Sequence, residues 1–294
     1  MAGRTRSVAA LVTISAVLVL AACKYGTPSG SGASATIVPV HIVPGPKRLI
    51  GVAGPQPNGT MWALAGKAST GLFRFDSSSG HAAGSVSVSS AARSVAETSS
   101  GVIGLALGTE RSGALELLNG STGKVTRAIP LAAPARQVVA GSDGTTFYVL
   151  TAWATSASVT VLNSGNGKTE GSVPVPADTV SIAPDVQQTM VYALQANGLV
   201  DEISVAGGKI MARFKVTDGE GKSIALSPDG GTLYVLKTSG NVPNVAVVDV
   251  NTESVRRVLP APSGCLELFV SASGNQLYEV VGTPGYGNIQ IFAV

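Results

Sequence analysis

The stretch "ALSPDGGTLYVLKT", residues 225–238, decides how the chain is read. Its first half is turn chemistry. Pro228 presets φ, and Asp229-Gly230 supply a side-chain acceptor and a residue that adopts positive φ. Its second half, Thr232 to Thr238, is rich in β-branched and aromatic residues and reads as a strand. Worn copies of the turn occur as "TSSG" (98–101), "GSDG" (141–144), "APDV" (183–186) and "SASG" (271–274). Such drift is what a turn tolerates and a catalytic loop does not.

The strand after the turn also recurs: "TMWALAG" (60–66), "GVIGLALG" (101–108), "TFYVLTA" (146–152), "MVYALQA" (190–196), "TLYVLKT" (232–238) and "QLYEVVG" (276–282). With Trp62, Gly104, Tyr148, Tyr192, Tyr234 and Tyr278 as one column, the steps are 42, 44, 44, 42 and 44 residues. A period in this range marks a β-propeller. A short strand precedes each opening turn. Two more follow, joined by turns such as "NGSTGK" (119–124) and "NSGNGK" (163–168). Each repeat therefore reads as a blade of four antiparallel strands. The sixth repeat stops at its third strand, "NIQIFAV" (288–294), while "ATIVPVHIVPG" (35–45) is a fourth strand with no blade of its own. The expected fold is all-β, a six-bladed propeller over residues 36–294, its last blade closed by the N-terminal strand. Closure removes the edges of an open array.

Residues 1–22 read as a targeting segment. Arg4 and Arg6 precede an apolar run from Val8 to Leu20, too short to span a bilayer comfortably, and "LAAC" follows at 20–23. This resembles the lipobox of bacterial lipoproteins. The resemblance implies cleavage before Cys23, lipid attachment on its thiol, and a membrane-anchored protein on the outer face of the cytoplasmic membrane. Residues 24–35, "KYGTPSGSGASA", then form a flexible Gly/Ser tether spanning roughly 20 Å. Loss of Arg4 and Arg6 leaves 18 basic against 17 acidic residues, so charge gives no argument for nucleic acid. With Cys23 lipidated, Cys265 has no disulfide partner, and a cysteine metal cluster is excluded.

The "SPDG-x-x-L-Y-V" and "V-x-D-x-x-T" pieces resemble YVTN-type, lactonase-like propeller repeats. That family is usually seven-bladed, and six repeats depart from it. The resemblance implies the fold and admits an enzyme with its site in the central channel.

The remaining apparent motifs dissolve into turns. "GNGKT" (165–169) lacks the first glycine of a P-loop, having Leu162 there, and a strand follows it. Asp249 to Glu253 lacks the central glycine and distal glutamate of a calcium loop. His41 and His81 alone cannot supply haem or copper ligation. No cofactor is expected. Glu97 stands out as an acid aligned with Ala140, Ile182, Leu226 and Val270, with Arg93 as its expected ion-pair partner. Arg93, Arg136 and Lys222 share one position before the innermost strand, with Arg48 near the same place in blade 1. Trp153 and Tyr286 fall on the same face. These residues form a candidate cationic rim for an anionic ligand.

The leading expectation is a monomeric propeller that binds a protein or an anionic cell-envelope ligand. Two rivals stand beside it: a lactonase, hydrolase or lyase working in the channel, and a purely structural surface lipoprotein.

Overall fold

Every copy of the repeat folds as a four-stranded antiparallel sheet in a computed structural model that describes residues 38–54, 59–66, 70–77, 79–216 and 218–294. The targeting segment, Cys23 and the tether lie outside the described residues.

The first strand is β1 (His41–Gly45). Blade 1 follows as β2 (Leu49–Ala53), β3 (Thr60–Ala65), β4 (Gly71–Asp76) and β5 (Ala82–Ser87). Blade 2 is β6 (Ala92–Glu97), β7 (Val102–Gly108), β8 (Gly113–Asn119) and β9 (Val125–Leu131). Blade 3 is β10 (Ala135–Ala140), β11 (Thr146–Ala152), β12 (Ala157–Asn163) and β13 (Thr169–Val175). Blade 4 is β14 (Thr179–Pro184), β15 (Met190–Gln195), β16 (Leu199–Ser204) and β17 (Ile210–Lys215). Blade 5 is β18 (Glu220–Leu226), β19 (Thr232–Ser239), β20 (Val242–Asp249) and β21 (Ser254–Pro260). Blade 6 has β22 (Cys265–Val270), β23 (Gln276–Gly282) and β24 (Gly287–Ala293), with β1 as its outermost strand. The closing register runs from His41 opposite Ile291 to Gly45 opposite Gly287. The six-bladed propeller and its N-terminal closure are as the repeat implies.

The core is not one cluster but six apolar seams between neighbouring blades. Side chains alternate along a strand, so successive residues serve opposite seams. In the second strand of blade 3, Tyr148 packs toward blade 4 and Val149 toward blade 2. The aligned aromatic column therefore fills the seam to the following blade, with Trp62, Tyr192, Tyr234 and Tyr278 in equivalent seats. Gly104 breaks the column for a packing reason. A Cβ there would come within 2.8 Å of the Phe147 ring, which crosses from blade 3 and occupies the space.

The "SPDG" segment is the turn between β18 and β19. The Asp229 carboxylate accepts from Gly231 N–H at 3.0 Å, the Ser227 hydroxyl accepts from Thr232 N–H at 2.9 Å, and Gly230 has φ 74°. Glycine recurs at this left-handed position as Gly59, Gly101, Gly144 and Gly274. Blade 4 uses Gln188 at φ 60°, whose side chain accepts from the Tyr148 hydroxyl at 3.3 Å. "GNGKT" is likewise a hairpin turn, with Gly167 N–H bonded to Asn163 O.

Turns between first and second strands share a face with turns between third and fourth strands, and they bond to one another. Gly120 N–H donates to Gly101 O, Ser164 to Thr145, and Val250 to Gly231. This turn face lies opposite the loop face, where the chain enters each innermost strand and where second strands lead into third strands.

Candidate functional site

The innermost strands present a free edge to the central channel, and an unpaired edge needs partners. The blades supply them to one another. Val138 N–H donates to Ser94 Oγ (3.2 Å), Ile182 N–H to Gln137 Oε1 (2.7 Å), Ile224 N–H to Ser181 Oγ (3.2 Å) and Leu268 N–H to Ser223 Oγ (3.1 Å). At the seam where the ring closes, Val52 N–H donates to Glu267 Oε2 (3.3 Å). The sixth member of this column is Gly51, which has no side chain to offer Val95. The blade 1–2 seam thus lacks the rim bond that the other five make.

The channel encloses about 280 Å³, walled mainly by Val, Ala, Ile and Leu from all six blades. Its ionisable lining is Glu97 and Glu267, with Gln137 as an amide. Burial pushes both carboxyls up to about 7, opposed at Glu267 by the Val52 N–H bond. The expected Arg93–Glu97 ion pair does not form. Arg93 Nε donates to Gly108 O at 3.2 Å instead, and Glu97 Oε2 is buried without a partner. Four residues of extended strand separate the two, too far for a side-chain contact along one edge. The strand register also corrects the alignment. Glu97 stands opposite Ile103 as Pro184 stands opposite Val191, so blade 4 contributes Pro184 to this column and not Ile182. Glu97 faces the blade 1–2 seam, where Trp62 Nε1 is also buried and unpartnered. The Arg74 guanidinium lies 5.9 Å from the centre of that indole. Glu97 and Glu267 stand on blades 2 and 6, three register positions apart, and do not converge. Among the described residues no group of three or more His, Cys, Asp or Glu is placed to hold a metal ion.

The cations are placed by a repeated irregularity. Each innermost strand has a β-bulge near its start, at Ile50, Arg93, Arg136, Val180, Lys222 and Leu266. A bulge re-aims its side chain out of the regular alternation. Arg93, Arg136 and Lys222 are exposed on the loop face as a result. Blade 1 contributes Ile50 to this column. Arg48 falls two residues earlier, in the left-handed region at φ 58°.

The six candidates divide into separate places. Arg93, Arg136 and Trp153 line one cleft of about 610 Å³ between blades 2 and 3, with Thr109, Glu110 and Pro134. Trp153 is 38 % exposed there, and Arg136 makes no hydrogen bond or ion pair among the described residues. Lys222 is held by Glu220 at 2.6 Å. Arg48 and Tyr286 belong to adjoining loops of blades 1 and 6, where Arg48 N–H and Tyr286 O both bond to Thr283.

Two buried acids escaped the sequence reading. Asp201 is fully buried and accepts from Gln195 Nε2 (2.8 Å) and from the Arg213 guanidinium (2.9 Å). Glu279 is 1 % exposed, with Oε2 unpartnered, and burial pushes it up to about 8. The signal for Glu279 was present. It follows the aligned aromatic, where the other blades carry Ala63, Leu105, Val149, Ala193 and Val235. Burial also raises the Cys265 thiol well above its ordinary value, leaving it without thiolate character.

Compared with known proteins, the chain matches no family model and no curated protein. Among solved structures, hydrazine synthase of Kuenenia stuttgartiensis has a similar architecture. The TM-score is 0.65 at 13 % identity, over 86 % of this chain and 77 % of that one. At that identity the likeness shows the propeller fold alone.

Proposed function

We propose that this protein is a lipid-anchored, extracytoplasmic propeller that binds an anionic cell-envelope ligand, or a protein presenting one, in the blade 2–3 cleft. The observation that carries this reading is the meeting of Arg93, Arg136 and Trp153 in one open cleft. Arg136 is unpartnered and Arg93 is braced by Gly108 O, so two guanidinium forks are available to a carboxylate or phosphate. Trp153 offers an exposed apolar ring beside them. The lipobox at residues 20–23 and the tether supply the anchor, and the YVTN-like repeats fit a surface propeller.

The channel carries the rival enzyme reading, since Glu97 and Glu267 are the half-buried ionisable groups that line it. Their separation on blades 2 and 6 and the apolar wall between them favour it less. A capture experiment separates the readings. Native envelope extract is passed over the acylated protein and over Arg93→Glu/Arg136→Glu. One stoichiometric component retained by the wild type, kept by Lys237→Glu and lost by the double reversal is the expected result. Retention that survives the double reversal refutes the cleft.

A further inference from the structure

The strand that closes the ring is also the first described strand, and exposed aliphatic residues stand on it and just before it. Val38, Val40 and Ile42, at alternate positions, are 66, 61 and 48 % exposed. Val40 and Ile42 are held in place, since Val40 N–H donates to Ile291 O at 2.7 Å and β1 pairs along β24. Ile42 stands opposite Gln290, which continues through Glu279 to Leu268, so it faces the outer mouth of the blade 5–6 groove. Across that groove Arg257 stands opposite Val247, is exposed, and makes no hydrogen bond or ion pair among the described residues.

The position of the stripe along the ring axis follows from topology. The early end of β1 lies beside the late end of β24, and Val294 N–H just beyond donates to Asn275 O in a turn of the turn face. Val38 and Val40 therefore lie at the turn face on the rim of blade 6. The Arg93/Arg136/Trp153 cleft opens on the loop face.

We propose that Val38, Val40 and Ile42, with Arg257 beside them, rest on the lipid surface and turn the blade 2–3 cleft away from the membrane. This rests on the lipid anchor at Cys23 proposed above. Val38 follows Cys23 by only 15 residues in sequence, so an acyl group on Cys23 would enter the chain nearest this rim. Aliphatic side chains with an adjacent arginine suit an interface of acyl chains and anionic headgroups. The tether then limits distance, and the stripe sets orientation.

The test uses the full acylated chain in vesicles of phosphatidylethanolamine and phosphatidylglycerol with brominated acyl chains. Val40→Trp is compared with Met211→Trp, which lies on blade 4 and is 63 % exposed in the wild type. Emission from the tryptophan at position 40 should fall at least about two-fold, as expected for a side chain at the acyl boundary, and that from position 211 should not. Equal emission changes at the two positions overturn the orientation while leaving the anchor standing. Shielding of position 40 that appears in detergent and grows with protein concentration assigns the stripe to a second copy and overturns the proposal. Absence of an acyl group on Cys23 by mass spectrometry overturns the anchor and this inference together.

Discussion

Replacing Glu279 with glutamine should make the protein more stable, and by an amount that depends on pH. Burial in the blade 5–6 seam raises this carboxyl from 4.5 to about 8, with no cation supplied to compensate. Below pH 4.5 the group is protonated in both folded and unfolded chains and costs nothing in linkage. Between 4.5 and about 8 the unfolded chain ionises and the folded chain does not. Stability then falls by about 1.4 kcal/mol per pH unit, to a loss of roughly 3 kcal/mol at pH 7 and roughly 5 above pH 9. Glutamine has nearly the same shape and no such titration. Any fixed cost of its buried amide is common to all pH values and cancels when pH values are compared, as do the contributions of Glu97 and Glu267. Urea unfolding of wild type and Glu279→Gln at pH 4.5 and pH 8, with m-values checked for equality, measures the difference. The variant should gain about 3 kcal/mol or more relative to wild type between the two conditions. An offset that is the same at both pH values would show that Glu279 is solvated or paired, and would refute the reasoning.

Gly104→Ala places a methyl 2.8 Å from the Phe147 ring and should cost about 1–3 kcal/mol, relieved in a double mutant with Phe147→Leu, whose counterparts Leu233 and Leu277 are leucines. Thermal melts of the four-member cycle test that coupling. Asp201→Leu leaves the buried Gln195 amide without its acceptor, while the half-exposed Arg213 turns to water, and should destabilise by about 1–3 kcal/mol, more than Asp229→Ala in the exposed turn, as denaturant titration will show. Hydrogen exchange followed from pH 5 to pH 8 and corrected for intrinsic rates should accelerate first in blades 5, 6, 1 and 2, whose seams hold Glu279, Glu267 and Glu97. Blades 3 and 4 should lag. Uniform acceleration around the ring would contradict this.

The fold was legible because a propeller states it several times over. A turn with a left-handed glycine and a strand with an aromatic toward the next blade return at a fixed step, and each blade faces the same physical demands. The candidate site was legible only in part. Equivalence in sequence placed Arg93, Arg136 and Lys222 correctly in one column, since the bulge that displays them repeats with the blade. It could not give their pairing, which depends on neighbours that do not repeat: Gly108 O bonded to Arg93, Glu220 to Lys222, and, among the described residues, no side-chain bond or ion pair for Arg136. Arg48 was read as near this column, and it stands two residues before the bulge residue of blade 1. The loop from β1 into β2 joins the two ends of the ring, and register counted from the other blades does not carry across it. Glu97 was noticed as an acid in an apolar column, but its partner was inferred along the strand. The side chain is instead turned across the strand into the blade 1–2 seam, where its Oε2 has no hydrogen-bond partner.

The carboxyls that burial raises to about 7 or 8 are not scattered around the ring. Glu279 occupies the blade 5–6 seam, Glu267 the blade 6–1 seam and Glu97 the blade 1–2 seam, while the fully buried Asp201 on the far side is paired with Arg213. The closing blade is therefore flanked on both sides by groups that favour the protonated state, and the seam next to it also lacks the rim bond that Gly51 cannot make. Holding that region together falls to apolar contact and to β1, whose Val43 is fully buried against Leu49, Met61 and Ile289 in the blade 6–1 seam. Under the anchor proposed above, β1 would be the first described strand to feel tension, and it is the strand whose loss reopens the ring. A propeller held this way would be strongest in mildly acid surroundings and most easily opened, at blade 6, when alkaline pH and tension act together.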